Sequence, residues 1–284
     1  MNVPTAANRY DRVAQASAAE VISGYSTSFG WASRLLAEPV RSDVRSIYAL
    51  VRVADEIVDD PDPVLTPALR ASQLDGLEAE TIKALECARS TNLVVHAFAS
   101  VARRCGIGTE LVQPFFASMR ADLSQSSHDS QSLSEYVYGS AEVVGLMCLK
   151  VFTAGDPGSF ERLAPAARSL GAAFQKVNFL RDLADDHDLL GRTYFPGLDP
   201  ATFSDTHRDA LLDDIDADLA VAATAIPHLP SSSRRAVQAA HGLFAALSRR
   251  LRQTPAAQIR QARVRVPDPE KALILFRALT GWSP

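Results

Sequence analysis

Between Pro39 and the PDP triplet at 61 to 63 runs VRSDVRSIYALVRVADEIVDD, and its order of residues allows one kind of local structure. Placed at about 100° per step, Tyr48, Arg52, Asp55 and Asp59 fall within roughly 60° of one another. Beside that polar stripe, Val44, Ile47, Leu50, Val51, Ala54, Ile57 and Val58 form an apolar arc wide enough to require burial. The segment reads as a helix that borders a core and carries one polar ridge. Pro39 suits its first turn, and the prolines at 61 and 63 stop it just past its acidic end.

The same periodicity, punctuated by Pro and Gly, predicts further helices near 9–23, 27–36, 66–88, 92–105, 109–121, 132–153, 159–188, 206–225, 231–252 and 268–280. Runs of Val, Ile and Thr bounded by turn signals are scarce, so the class is all-α. A chain of 284 residues, 47% hydrophobic and without a composition break, fits a single domain spanning 1–284. No repeat of solenoid length occurs, which favours a bundle around a central cavity. The polar segment SQSSHDSQS at 124–132 reads as a loop.

Charge and cysteine usage exclude several functions. A net charge of −4 gives no electrostatic footprint for nucleic acid. Cys87, Cys105 and Cys148 make no CxxC pair, so neither a disulfide framework nor a zinc site is indicated. MNVPTAANRYDR lacks the pattern of a secretory signal, and no run is apolar for the ~18 residues that a membrane span needs. The expected location is the cytoplasm, with peripheral contact at the inner membrane face left open.

Asp55 and Asp59 project from successive turns, close enough to share a cation or to hold separate cations on one ligand. Hard oxygen ligands suit magnesium, which is commonly held by one or two carboxylates plus substrate phosphate oxygens. Arg52 beside the pair could bind that phosphate. The plainer alternative is an Arg52–Asp55 pair at i+3 with Asp59 merely exposed. Acidic residues at a helix C-terminus oppose the macrodipole, however, and an external cation relieves that.

SLGAAFQKVNFLRDLADDHD repeats the logic. Gly171, Gln175, Asn178 and Asp182 stack at spacings of four, three and four, and Asp186 comes four residues on. Two helices each bearing an acidic ridge would face one another across one end of the bundle, as helical proteins build their metal sites. The bland alternative is two solvated acidic faces.

With these residues in hand, the chain resembles the squalene and phytoene synthases, which join two isoprenoid diphosphates head to head. The resemblance is carried in order by STSFGWASRLL at 26–36, YALVRVADEIVDD at 48–60, YVYGSAEVVGLM at 136–147 and GAAFQKVNFLRDLADDHDLLGRTYFP at 171–196. It implies an isoprenoid-synthase helical bundle around an apolar cavity. It further implies Asp55 and Asp59 as one metal-binding pair, and Asn178, Asp182 and Asp186 as the second metal-ligand set. Ser28 and Arg52 match diphosphate contacts, and Tyr136 matches a tyrosine acting in the first half-reaction. Gln175, Arg181, Arg192 and Tyr194 match further active-site positions, while Arg263 and Lys271 fall in a stretch similar to the family's basic tail motif.

The chain departs from the pattern at Tyr25 and Thr27, where relatives often carry His and Lys, and at Glu142, where a small residue is common. Glu142 lies roughly 120° from Tyr136 and is expected to point away from the cavity. One extra residue precedes GRTYFP, which makes Asp185 or Asp188 alternatives to Asp186. Val143 and Met147 continue the face of Tyr136 and either line the tunnel or pack in the core.

The implied function is condensation of two geranylgeranyl diphosphates to phytoene through a cyclopropyl diphosphate, with Mg2+ (or Mn2+) as the cofactor. Farnesyl diphosphate as substrate, giving squalene, presqualene diphosphate or dehydrosqualene, is the alternative, and NADPH is expected only if squalene is the product. A cyclising terpene synthase on the same scaffold, and a non-catalytic assembly factor, are further alternatives. The oligomeric state is not legible in the sequence.

Overall fold

The computed structural model describes residues 9–25, 28–60, 62, 64–184 and 191–280; apart from a single bridge between Ser127 and Thr193, every element among them is helical. The order is α1 (Arg9–Tyr25), α2 (Ser28–Ser33), α3 (Val40–Asp59), α4 (Pro67–Cys87), α5 (Leu93–Cys105), α6 (Thr109–Ser124) and α7 (Ser130–Val137). A π-helical turn (Tyr138–Glu142) leads into α8 (Val143–Phe152), then come α9 (Pro157–Arg181), α10 (Asp205–Ala225), α11 (Ser231–Gln253), α12 (Ala256–Ile259) and α13 (Asp268–Thr280).

Local chemistry explains the boundaries. The Thr66 hydroxyl accepts from Leu69 N–H at the start of α4, the Asn92 side chain accepts from Val94 and Val95 N–H at α5, and Asp156 accepts from Ser159 N–H at α9. Pro67 and Pro157 stand in first turns, where a missing N–H costs nothing. Gly106 closes α5 in the left-handed region at φ 71°, a conformation that favours glycine.

Two apolar clusters fill the bundle. Phe98, Phe115 and Phe116 anchor one, with Ile47, Leu50, Val143 and Met147, so that α3, α5, α6 and α8 pack together. Each such side chain contributes about 2–3 kcal/mol on burial. The other joins α7, α9, α10 and α11 through Val177, Leu180, Leu212, Ile215 and Leu251. Among the described residues no helix is long and apolar enough to cross a membrane.

Two expected helices differ from those observed. The single helix expected over 132–153 is three pieces, because the π turn interrupts it. A Cβ at Gly139 would lie 2.2 Å from the Pro114 carbonyl oxygen, so the turn presses against α6 at a place only glycine permits. The helix expected to reach 188 ends at Arg181, with Asp182 as its cap; residues 183–184 resume a helical turn. The expected stacking of Asp186 over Asp182 lies outside the described residues, as do the alternatives Asp185 and Asp188.

Candidate active site

A cavity of about 520 Å3 is lined by α3, α8, α9, α10 and α11, and α2 closes one side. Its wall changes character along α9. Leu163, Ala166, Ala167 and Leu170 line one end, Phe174 is next, and Gln175, Asn178 and Arg181 line the other. From the facing helix come Val44, Tyr48 and Val51, one turn before Asp55. Both helices turn acidic at their C-terminal ends, where Asp55 and Asp59 close α3 and Asp182 caps α9, and the Asp59–Arg192 bond and the Tyr194–Phe179 stack bring those ends to one mouth. Below that mouth the lining is almost wholly apolar.

Val143 and Met147 do not line this cavity; they are 0% and 2% exposed within the first apolar cluster. A π turn holds one residue more than an α turn, which rotates the residues after it by about one position. Ser140, Ala141, Val144 and Cys148 consequently take the cavity-facing places. Glu142 points away, as expected, and pairs with Arg168 at 2.6 Å.

At the first lip, Arg52 pairs with Glu56, not Asp55, and its guanidinium lies 4.6 Å above the Tyr25 ring. The tyrosine standing where relatives often have histidine is thus a platform for Arg52. Asp59 is held by Arg192, Nη1 to Oδ1, at 2.9 Å. Asp55 has its carboxyl raised to about 7, first by burial and then by the charge of Asp59, with Arg52 opposing and Asp122 adding to the rise.

At the second lip, Asp182 receives Arg181 at 2.5 Å and Arg263 at 2.8 Å. Gln175, Asn178 and Arg181 are brought together on the cavity wall. Lys271 is not brought to the site: it pairs with Asp268 at 3.0 Å, one turn back on α13. Ser28 begins α2, but its side chain lies outside the described atoms, as does Thr27.

Tyr136 is 4% exposed and absent from the cavity wall. Its ring packs against Tyr194 and Phe179 at 5.4 and 5.9 Å, and its hydroxyl donates to Asp122 Oδ2 at 2.6 Å. Asp122 also accepts from the Tyr194 hydroxyl at 3.3 Å and lies 3.9 Å from Arg192. Burial raises the Asp122 carboxyl to about 6 against the lowering effects of Arg192 and Tyr136. Burial, then the Asp122 charge, pushes the Tyr136 phenol well above its ordinary value. Sequence reasoning missed Asp122. A lone aspartate without an i+4 partner, just beyond the expected end of a helix, carries no signal.

The donors fit a divalent cation shared with a phosphate. Among the described residues no three His, Cys, Asp or Glu side chains converge on one point. Asp55 is crowded by Asp59 and Asp122, a surplus of negative charge that a cation would relieve. Conversely, Arg52 Nε and Ser140 Oγ are buried without partners, in residues suited to an anionic or polar ligand.

Comparison with known proteins gives the family and the fold. The squalene/phytoene synthase family model matches residues 22–270. A 15-cis-phytoene synthase from Paracoccus sp. (strain N81106 / MBIC 01143) is 30% identical, over 93% of this chain and 90% of that protein. A 4,4'-diapophytoene synthase from Staphylococcus haemolyticus is 27% identical over 62% of this chain and 60% of its own. A crystal structure of a dehydrosqualene synthase superposes with a TM-score of 0.80, covering 95% of this chain and 97% of that one at 20% identity. The squalene synthase of Alicyclobacillus acidocaldarius gives 0.73, with 86% and 94% covered at 19% identity.

The chain belongs to the squalene/phytoene synthase family. It is a prenyltransferase of the class that condenses prenyl diphosphates head to head, and the family uses a divalent metal to bind the diphosphate.

Proposed function

We propose that this enzyme condenses two geranylgeranyl diphosphates to phytoene, with Mg2+ at the two acidic lips. The length of the cavity carries the reading. Leu163 and Asn178 both line it, and fifteen residues of helix span about 22 Å. An extended geranylgeranyl chain is about 20 Å long by ordinary carbon–carbon geometry, and a farnesyl chain about 15 Å. A diphosphate held near Asn178 and Asp182 would place a twenty-carbon tail along α9 down to Leu163. The phytoene synthase of Paracoccus points the same way.

Asp55, Asp59, Asn178, Asp182 and Asp186 would hold the metal, which supplies charge neutralisation for the departing diphosphate. Arg52, Arg181, Arg192 and Arg263 surround the same mouth, and their guanidiniums can shift from carboxylates to phosphate oxygens as substrate enters. Ser28 and Gln175 would complete the diphosphate contacts. The apolar wall from Phe174 to Leu163 excludes water, which would otherwise quench an allylic cation. Capture of that cation by the second chain, with loss of one proton, closes the cyclopropyl diphosphate. The departed diphosphate takes that proton, and Tyr136, its hydroxyl linked through Asp122 and Arg192 to the first lip, assists the transfer. Loss of the second diphosphate and another proton leaves phytoene, with no reductant.

Mass spectrometry of products from geranylgeranyl and farnesyl diphosphate, with and without NADPH, tests the reading. A forty-carbon product independent of NADPH is expected. A thirty-carbon product formed faster would transfer the assignment to dehydrosqualene or squalene synthesis.

A further inference from the structure

We propose that Asp122, which belongs to neither carboxylate pair, is the positioning residue that holds the Tyr136 hydroxyl at the first acidic lip. The inference rests on the proposed role of Tyr136 and deepens it. Asp122 sits in the last turn of α6, Tyr136 on α7, Arg192 and Tyr194 beyond α9, and Asp59 at the end of α3. Only the fold brings these segments together, and hydrogen bonds and ion pairs link Tyr136 through Asp122 and Arg192 to Asp59. Tyr136 donates to Oδ2 at 2.6 Å, Tyr194 donates to Oδ1 at 3.3 Å, and Arg192 stands between Asp122 at 3.9 Å and Asp59 at 2.9 Å.

A merely structural acceptor for a buried tyrosine would be neutral, because a buried carboxylate carries a desolvation cost of several kcal/mol. The Asp122 side chain is 7% exposed and is nevertheless an acid. The 2.6 Å bond has the length of a charge-assisted contact, which is directional as well as strong. Ring packing against Phe179, Tyr194 and His128 confines the plane of Tyr136 but leaves its O–H free to rotate. Asp122 fixes that last degree of freedom, and Arg192 ties the acceptor to the lip where the diphosphate leaves.

The test combines kinetics with a spectroscopic readout. Asp122→Asn is expected to lower kcat for the first half-reaction about 100-fold, the usual effect of misplacing a reacting group by about an ångström, with KM changed less than about threefold. Combined with Tyr136→Phe it should cost nothing beyond Tyr136→Phe alone, since the two act as one unit. Losses that multiply, or an effect confined to KM, would overturn the proposal. Independently of turnover, tyrosine labelled with 13C at Cζ gives a Tyr136 resonance assigned by its loss in Tyr136→Phe. Asp122→Asn should shift that resonance with the circular dichroism unchanged, and an unmoved resonance overturns the positioning role. Asp122→Glu, which displaces the oxygens by one methylene, should give the same pattern at smaller amplitude and serves if the asparagine variant folds poorly. A wild-type enzyme that turns over no prenyl diphosphate would defeat the proposed function, and the resonance would still decide the role of Asp122.

Discussion

Arg263 Nε lies 2.8 Å from Asp182 Oδ1, joining residues 81 positions apart in sequence. Arg181 grips the same carboxylate, so two guanidiniums flank the second lip before any diphosphate arrives. Arg263→Ala should raise KM for the prenyl diphosphate about tenfold, the loss of one charged contact, while kcat and the helical spectrum stay near wild type. An unchanged KM in steady-state assays would remove Arg263 from the site.

Asp55 presents the opposite balance, because its charge is a liability until a cation arrives. Asp55→Asn should abolish turnover yet raise the melting temperature of metal-free protein by about 2–4 °C, equivalent to about 1 kcal/mol. Calorimetry with a chelator present checks this. A lower melting temperature would mean that the carboxylate stabilises the fold.

The pH dependence comes from Asp55 at about 7 and Asp122 at about 6, both raised from 3.8. Between about pH 4 and pH 7 the folded chain keeps protons that the unfolded chain has released. Stability of the metal-free protein therefore falls as pH rises through that window and levels off above it. Metal binding needs ionised carboxylates, so kcat/KM should rise between about pH 6 and pH 7.5. Melting curves across pH that rise over this range would contradict the assignment.

Gly171 meets the π turn. A Cβ there would lie 2.6 Å from the Ala141 carbonyl oxygen and 3.0 Å from Glu142 Cα, both backbone atoms that cannot swing aside. Gly171→Ala should cost about 1–3 kcal/mol as an overpacking change, measurable as a shifted urea midpoint. Wild-type stability would show that α9 slides freely there.

Ala166 lines the cavity near the Leu163 end. Ala166→Phe should shorten the channel and lower kcat/KM for geranylgeranyl diphosphate at least about tenfold, the scale of pocket discrimination by a few methylenes, and affect farnesyl diphosphate less. Equal losses for both substrates would place the tails elsewhere.

Periodicity located the helices because each must bury one face, and the ridge on α3 was legible for the same reason: Tyr48, Arg52, Asp55 and Asp59 could share a face only in a helix. The pairing of Arg52 was not legible. Glu56 at i+4 and Asp55 at i+3 compete on equal local terms, and the Tyr25 ring settled the side-chain direction. The π turn was invisible too, since YGSAE contains no helix breaker beyond one glycine. Within it, Gly139 packs against Pro114 on another helix, a contact that only the fold creates.

The all-α class, the acidic ridge on α3 and the family are legible from the sequence, because i to i+4 spacing is a property of one helix. The tertiary structure alone decided that Val144 and Cys148 replace Val143 and Met147 on the cavity wall, that Lys271 stays with Asp268 while Arg263 reaches Asp182, and that Asp122 joins Tyr136 to Arg192. Those relations link segments far apart in the chain, and burial and charge acting through space select among partners that local spacing cannot rank.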